Sequence, residues 1–273
     1  MRNILTITQY TFKEAFSRKI FLTFFGISSF VLLIFSLIFY FVGFDNLTGM
    51  AGTSNEMTDN VLTQVADFFK MMIVMPLFGG GLFLSIFSAS SFIPNMLEKG
   101  NIDLILSKPV SRSQVIWGKF LGGISIVLLN IAYLVLGIWL LIGLKFSVWG
   151  ASILVTILSI TFAFAVLYAL IILIGVLTRS SLLAMMMSYL IFFILSPILA
   201  TREQFYDFLD NKFVEHIIDG FYYFLPKTSE IASITASLAT GGGIDSYQPI
   251  ISSFLFMILS IGISIFIFSK KDY

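Results

Sequence analysis

Few residues of this chain have the types and spacing that bond-making chemistry needs. The only histidine, His216, stands beside Glu215 and near Asp219, and cysteine is absent. A zinc site with three or four ligands, a thiolate nucleophile and a disulfide are therefore excluded. No Gly-x-x-x-x-Gly-Lys-Ser/Thr occurs; Lys227-Thr228 follows Leu225-Pro226 instead of a glycine-rich turn, so no P-loop is present to cradle a nucleotide. No basic tract of the sort that tracks phosphates exists either, which argues against nucleic acid as a partner. One mixed-charge segment remains, residues 98–119. There Glu98, Asp103, Arg112 and neighbouring lysines frame the adjacent apolar Leu104, Ile105 and Leu106. The chemistry open to it is recognition, through ion pairs at the edge of an apolar contact.

The elements that must position this segment can be read from its punctuation. Pro94 and Gly100 break the chain before it. Asn101 can cap a short helix over 102–107, and Pro109 ends it, because the residue before a proline is disfavoured in the α region. Ser111 and Gln114 have capping-box spacing and start a long helix that runs through Lys119 into apolar sequence. By its residues alone the segment reads equally as a docking element or as an ordinary loop resting on lipid headgroups.

The rest of the chain explains where such a segment would stand. Of 273 residues 58% are hydrophobic and only 11% charged, with 31 Phe and 11 Met, and the mean hydropathy is +0.99. A soluble domain carries roughly 25% charged residues, so a water-facing shell cannot be built, and a disordered chain is excluded as well. A hydrocarbon core about 30 Å thick needs roughly 20 apolar residues in a helix. Spans are expected at about 20–44, 71–94, 120–144, 149–177, 181–200 and 249–268, in a single transmembrane domain covering 1–273. The apolar runs show no strand alternation, so the expected fold class is all-α, a polytopic membrane protein. The first span is too long for a signal-peptide core and reads as a retained signal anchor.

Charge sets the orientation. Eleven of the 16 Lys and Arg lie in segments 1–19, 98–119, at 179 and at 270–271, while 11 of the 15 acids lie on the other side. Both termini are thereby placed in the cytoplasm, as an even number of spans requires. Residues 1–19 read as an interfacial helix with Ile4, Leu5, Phe12, Ala15 and Phe16 on one face, or as a plain polar lead-in. The connection at 45–60 reads as a plain loop. Residues 201–247 form the large external piece. They are helical in pattern around Phe205 to Ile218 and again from Ser229 to Ala239, stop at Gly241-Gly242-Gly243, and are too short for a core of their own.

The spans as read contain no ionisable residue, which disfavours a carrier driven by protons. Gly118 and Gly122 have the small-x-x-x-small spacing that lets helices approach, and Pro76 with Gly79, Gly80 and Gly81 marks a candidate hinge in span two.

The string Glu98-Lys99-Gly100-Asn101-Ile102-Asp103-Leu104-Ile105-Leu106-Ser107-Lys108-Pro109-Val110-Ser111-Arg112, followed by Gly118-Lys119, resembles the signature of type 2 ABC exporter permeases. That signature has Glu, Gly-Thr, a Leu-rich turn, Pro-x-x-Arg and a Gly-Lys leading into span three; Asn101 stands here where Thr is usual. Phe16 to Ile20, Leu225-Pro226 and the basic ending at Lys270-Lys271-Asp272 are similar to the family's pattern too. In layout the chain resembles most the branch of copper-enzyme maturation exporters, such as those serving nitrous-oxide reductase. The resemblance implies half of a transmembrane pair in the cell (inner) membrane, formed with a second permease copy, and a separate cytoplasmic ATPase that binds ATP and Mg. This chain would hold no cofactor and would not be an enzyme by itself. It also implies that residues 101–107 are the coupling helix. Leu104 and Leu106 would make apolar contact with the ATPase, Glu98, Asp103 and Arg112 would set its angle, and Gly100 and Pro109 would bound it. A secondary carrier or channel, and a non-transporting mechanochemical or scaffold protein, are the other readings.

Overall fold

The computed structural model describes residues 2–17, 20–41, 55–97, 110–206 and 212–271. All regular structure among them is helical. In chain order the helices are α1 (Arg2–Ser17), α2 (Ile20–Phe41), α3 (Asn55–Pro76), α4 (Leu82–Ala89), α5 (Phe92–Met96), α6 (Arg112–Phe146) and α7 (Ser152–Thr178). There follow α8 (Ser181–Tyr189), α9 (Ser196–Ala200), α10 (Arg202–Tyr206), α11 (Lys212–Phe224), α12 (Thr228–Ala239) and α13 (Gln248–Lys270). Two π-helical turns, Leu77–Gly81 and Leu190–Leu195, join α3 to α4 and α8 to α9. Among the described residues six stretches are long and apolar enough to cross a membrane: Leu22–Phe41, Gln64–Met96, Arg112–Phe146, Ser152–Thr178, Ser181–Ala200 and Gln248–Lys270. The chain is an all-α polytopic membrane protein, and these stretches are spans one to six.

Span four is the hub. Every residue from Ala163 to Ile172 is buried, and α7 packs against α6, α8, α12, α13 and α4. Over these middle turns the helix is enclosed on all sides and needs no polar face, which explains why its apolar sequence has no period. Spans one and six and the two halves of span five turn Leu, Ile and Phe outward, among them Phe30, Leu255, Phe193 and Phe266, the surface that hydrocarbon satisfies.

Local sequence accounts for the helix ends. Ser111 caps α6: its side chain accepts from the Gln114 backbone N–H while the Gln114 side chain accepts from the Ser111 N–H, the capping box expected from the spacing. Ser147 and Arg179 end α6 and α7 in the left-handed region at φ 56°, and Gly241, at φ 83°, turns the chain after α12.

Two expectations are revised. Helix α3 begins at Asn55, within the stretch 45–60 read as a plain loop, so span two is continued at one end by a helical extension. The apolar face expected on α1 is divided: Ala15 is buried and Phe12 half-buried, whereas Leu5 and Phe16 are exposed. The neighbouring groove on span three accepts small or β-branched side chains, and the bulky ones are left facing outward. In the large piece between spans five and six, α10, α11 and α12 occupy most of the described residues; the expected helix over 205–218 is observed as α10 and α11, and residues 207–211 are outside the description.

Candidate functional site

The segment with the recognition chemistry is described only at its edges. Glu98, Gly100, Asp103, Leu104, Leu106 and Pro109 lie outside the described residues, as does the expected short helix. The structure does show what its two ends are fastened to. On the entering side, Ile93, Pro94, Met96 and Leu97 are buried, and Ile93 lies so close to Gly175 of α7 that a Cβ there would sit 3.3 Å from the Ile93 side chain. On the leaving side stands Arg112, the first residue of α6. Its Nη1 donates to the carbonyl oxygens of Phe268 at 2.7 Å, of Ser269 at 3.2 Å and of Lys271, and its guanidinium carbon lies 5.8 Å from the centre of the Phe268 ring.

The last carbonyls of a helix have no partners within it and carry the negative end of its dipole, so a cation placed there is stabilised twice. Arg112 does this for α13. Lys271 does it for α7, donating from Nζ to Val176 O at 2.9 Å and Leu177 O at 3.0 Å. The start of span three and the ends of spans four and six are thus tied into one knot, and segment 98–109 leaves it and returns to it. In sequence Arg112 is read as setting the angle of a coupling helix; in the structure its guanidinium holds the end of span six.

Below the knot, α1 lies along the first turns of α6. Gly118 and Gly122 are the contact surface: an added Cβ would come within 2.6 Å of Ile7 and 2.7 Å of Thr11, respectively. The small-residue pair brings in the N-terminal helix and not another span. Thr8 Oγ1 donates to Gly118 O at 3.3 Å. Beside it the Lys119 ammonium meets the Glu14 carboxylate at 2.5 Å, with the lysine side chain only 2% exposed and the glutamate 15%. Tyr168 of the hub donates to Lys119 O at 3.2 Å and stacks on Phe120 and Phe164.

The candidate hinge residues Pro76, Gly79, Gly80 and Gly81 flank or form the first π turn. Pro76 lacks the N–H an α-helix needs at that point, and a wide turn absorbs the irregularity. The second π turn, in span five, lies beside it: Phe78 and Phe192 are 6.2 Å apart, Phe83 stacks on Tyr189 at 4.7 Å, and the Tyr189 hydroxyl donates to Phe83 O at 2.8 Å.

The matching family is described as ABC-2 family transporter protein, and the match covers residues 12–273. The chain belongs to that family. It is a permease component of an ABC transporter, a multi-pass membrane protein of a class that works in lipid with an ATPase. No curated protein matches the chain.

At the opposite end of this permease, the α10–α12 region holds a compact charged group that composition does not announce. Arg202 pairs with Asp219 at 3.1 Å, and its guanidinium carbon lies 3.4 Å from the Tyr222 ring centre. The Lys227 ammonium lies 3.8 Å from the same ring and is buried with no hydrogen-bond partner among the described residues. Burial pushes the Lys227 ammonium down to about 8, and the hydroxyl of Tyr206, then Arg202, holds the Asp219 carboxyl below the usual range. In sequence Lys119 and Lys271 stand only as parts of the family pattern and Lys227 only as a lysine outside a P-loop; the Glu14 partner of Lys119, the α7 carbonyls bound by Lys271 and the burial of Lys227 were missed. A lysine inside an apolar context, as in Gly118-Lys119-Phe120, was the one available signal.

Proposed function

We propose that two copies of this permease form the membrane path of an exporter, and that segment 98–112 docks into a separate ATPase that supplies the energy. The observation that carries this reading is the knot. A docking segment is useful only if displacing it moves spans, and here both its ends are fastened where spans two, three, four and six meet. Nucleotide-driven closure of the ATPase pair would then bias the bundle between two arrangements. The absence of a P-loop from the sequence supports an external energy source, and the basic ends of the spans support cytoplasmic termini facing that partner in the cell (inner) membrane. The alternatives of a proton-driven carrier or a channel lack support, because the ionisable residues of the described spans lie near their ends.

The test is Leu104→Asp. A carboxylate forced into a docked apolar contact costs several kcal/mol, on the order of 2–7 even for a neutral polar group without a partner. The permease should insert and fold normally while losing co-purification with its ATPase and any stimulated hydrolysis. Normal assembly and normal coupled hydrolysis in this variant would show the segment to be an ordinary loop.

A further inference from the structure

Span one packs chiefly on span three, and between spans one, two and three lies a cavity of about 310 Å³. That is the lower end of the range for small-molecule sites. Its walls are apolar, with Ile27 and Val31 from span one, Met72 and Leu77 from span two and Leu134 from span three. The first π turn makes room for it: Gly80 lines the cavity, and a Cβ added there would meet nothing within 4 Å. Toward the far ends of the same spans the rings of Phe39, Phe69 and Phe146 pack at 5.0–5.6 Å and close the space.

Ser28, Ser85 and Asn130 break the apolar lining, and Ser85 donates its hydroxyl to Gly81 O at 2.7 Å. Ser28 Oγ donates to Asn130 Oδ1 at 3.1 Å, and the Asn130 amide nitrogen makes no hydrogen bond among the described residues. Along α6, Asn130 is about 17 Å from Lys119 and about 22 Å from Lys145, which places it near the middle of a hydrocarbon core about 30 Å thick. An amide donor without a partner is unfavourable at that depth, and polar side chains kept inside membranes mark binding sites. Phospholipid tails have no polar atom to offer there, since their ester groups stay at the interface.

We infer that this cavity binds a hydrocarbon-soluble molecule bearing one hydroxyl or carbonyl group, which Asn130 meets at mid-membrane depth while the π-turn glycines and span one enclose the chain on either side of it. Entry is from the bilayer, and occupancy needs neither nucleotide nor ATPase. The site therefore stands or falls separately from the role of segment 98–112.

The test uses the purified full-length permease in phospholipid vesicles with a long-chain secondary alcohol, its hydroxyl at mid-chain beside a photoreactive diazirine. The same chain without the hydroxyl is the control probe. Saturable labelling of the walls of spans one to three is expected, competed by the unlabelled alcohol. Asn130→Leu should lower apparent affinity about tenfold, the worth of one hydrogen bond, and Gly80→Leu should abolish labelling by filling the space. Gly80→Ala, which the structure accommodates, keeps the test independent of misfolding. Equal labelling by both probes, or wild-type affinity in Asn130→Leu, would make the cavity a crevice for lipid tails only and overturn the inference. Absence of saturable wall labelling in the wild type would overturn it as well.

Discussion

Replacing Glu14 by glutamine removes the carboxylate that pairs with Lys119 among the described residues, where the lysine side chain is 2% exposed. A buried cation left without its partner costs about 3–5 kcal/mol. The Tyr10 ring, 5.7 Å from the Lys119 ammonium, offsets only about 0.5–1 kcal/mol of that. Lys119→Met keeps the length of the aliphatic stem and removes the charge; Glu14, more exposed, can turn toward water, so this change costs less, about 1–3 kcal/mol. Glu14→Leu combined with Lys119→Met removes both charges and keeps apolar volume, and such exchanges are often neutral or stabilising. The double variant is therefore expected to be more stable than Glu14→Gln alone, by about 2–4 kcal/mol. Thermal unfolding of the permease in lipid nanodiscs reads this directly, at about 2–4 °C per kcal/mol for a chain of this size. Protection of α1 from hydrogen exchange should fall in Glu14→Gln and return in the double variant. If the double variant is as unstable as Glu14→Gln, the buried-charge account is wrong and Glu14 acts through some other contact.

Lys227 gives a pH signature. Its folded pKa of about 8 lies below the ordinary lysine value of 10.5, so between these values the unfolded chain holds a proton the folded chain has released, and stability rises with pH. The unfolding midpoint should climb from about pH 8 to about pH 10 and level off in Lys227→Met. Above about pH 10, Tyr206 and Tyr222, pushed up to about 12 chiefly by burial, act in the opposite sense; a flat profile in the wild type over pH 8–10 would refute the assignment. Topology is testable by single cysteines, since the chain has none of its own. A cysteine at 245, where Asp245 is exposed, should react with a membrane-impermeant reagent added outside, whereas one at 105 should react only after permeabilisation. Reactivity of 105 from outside would reverse the orientation.

The number and type of spans were legible because hydrocarbon is a demanding solvent. A run of about 20 apolar residues has no other stable place, and the length of the run sets the element. The start of α6 was legible for a different reason: Ser111 and Gln114 satisfy backbone groups within four residues, so the signal and the contact are both local. Span four carried no such signal for its role. A helix apolar on every side looks the same in sequence whether it faces lipid or protein, and only packing showed it to be the hub.

The residues that fasten the candidate coupling region depended on tertiary structure for their meaning. Gly118 and Gly122 announce a close approach, but spacing cannot say to what; the partner proved to be Ile7 and Thr11, more than a hundred residues away. Arg112 was legible as a charge at a helix start, while its acceptors are carbonyls at the end of span six, an atom type every residue has and no sequence pattern marks. The same holds for Lys271 on the end of α7 and for Asn130 beside its cavity. Solvation chooses the elements and is written in composition. Which helix ends meet, and which polar atom lacks a partner, follows from how the six spans pack, and that is decided only when all of them are in place.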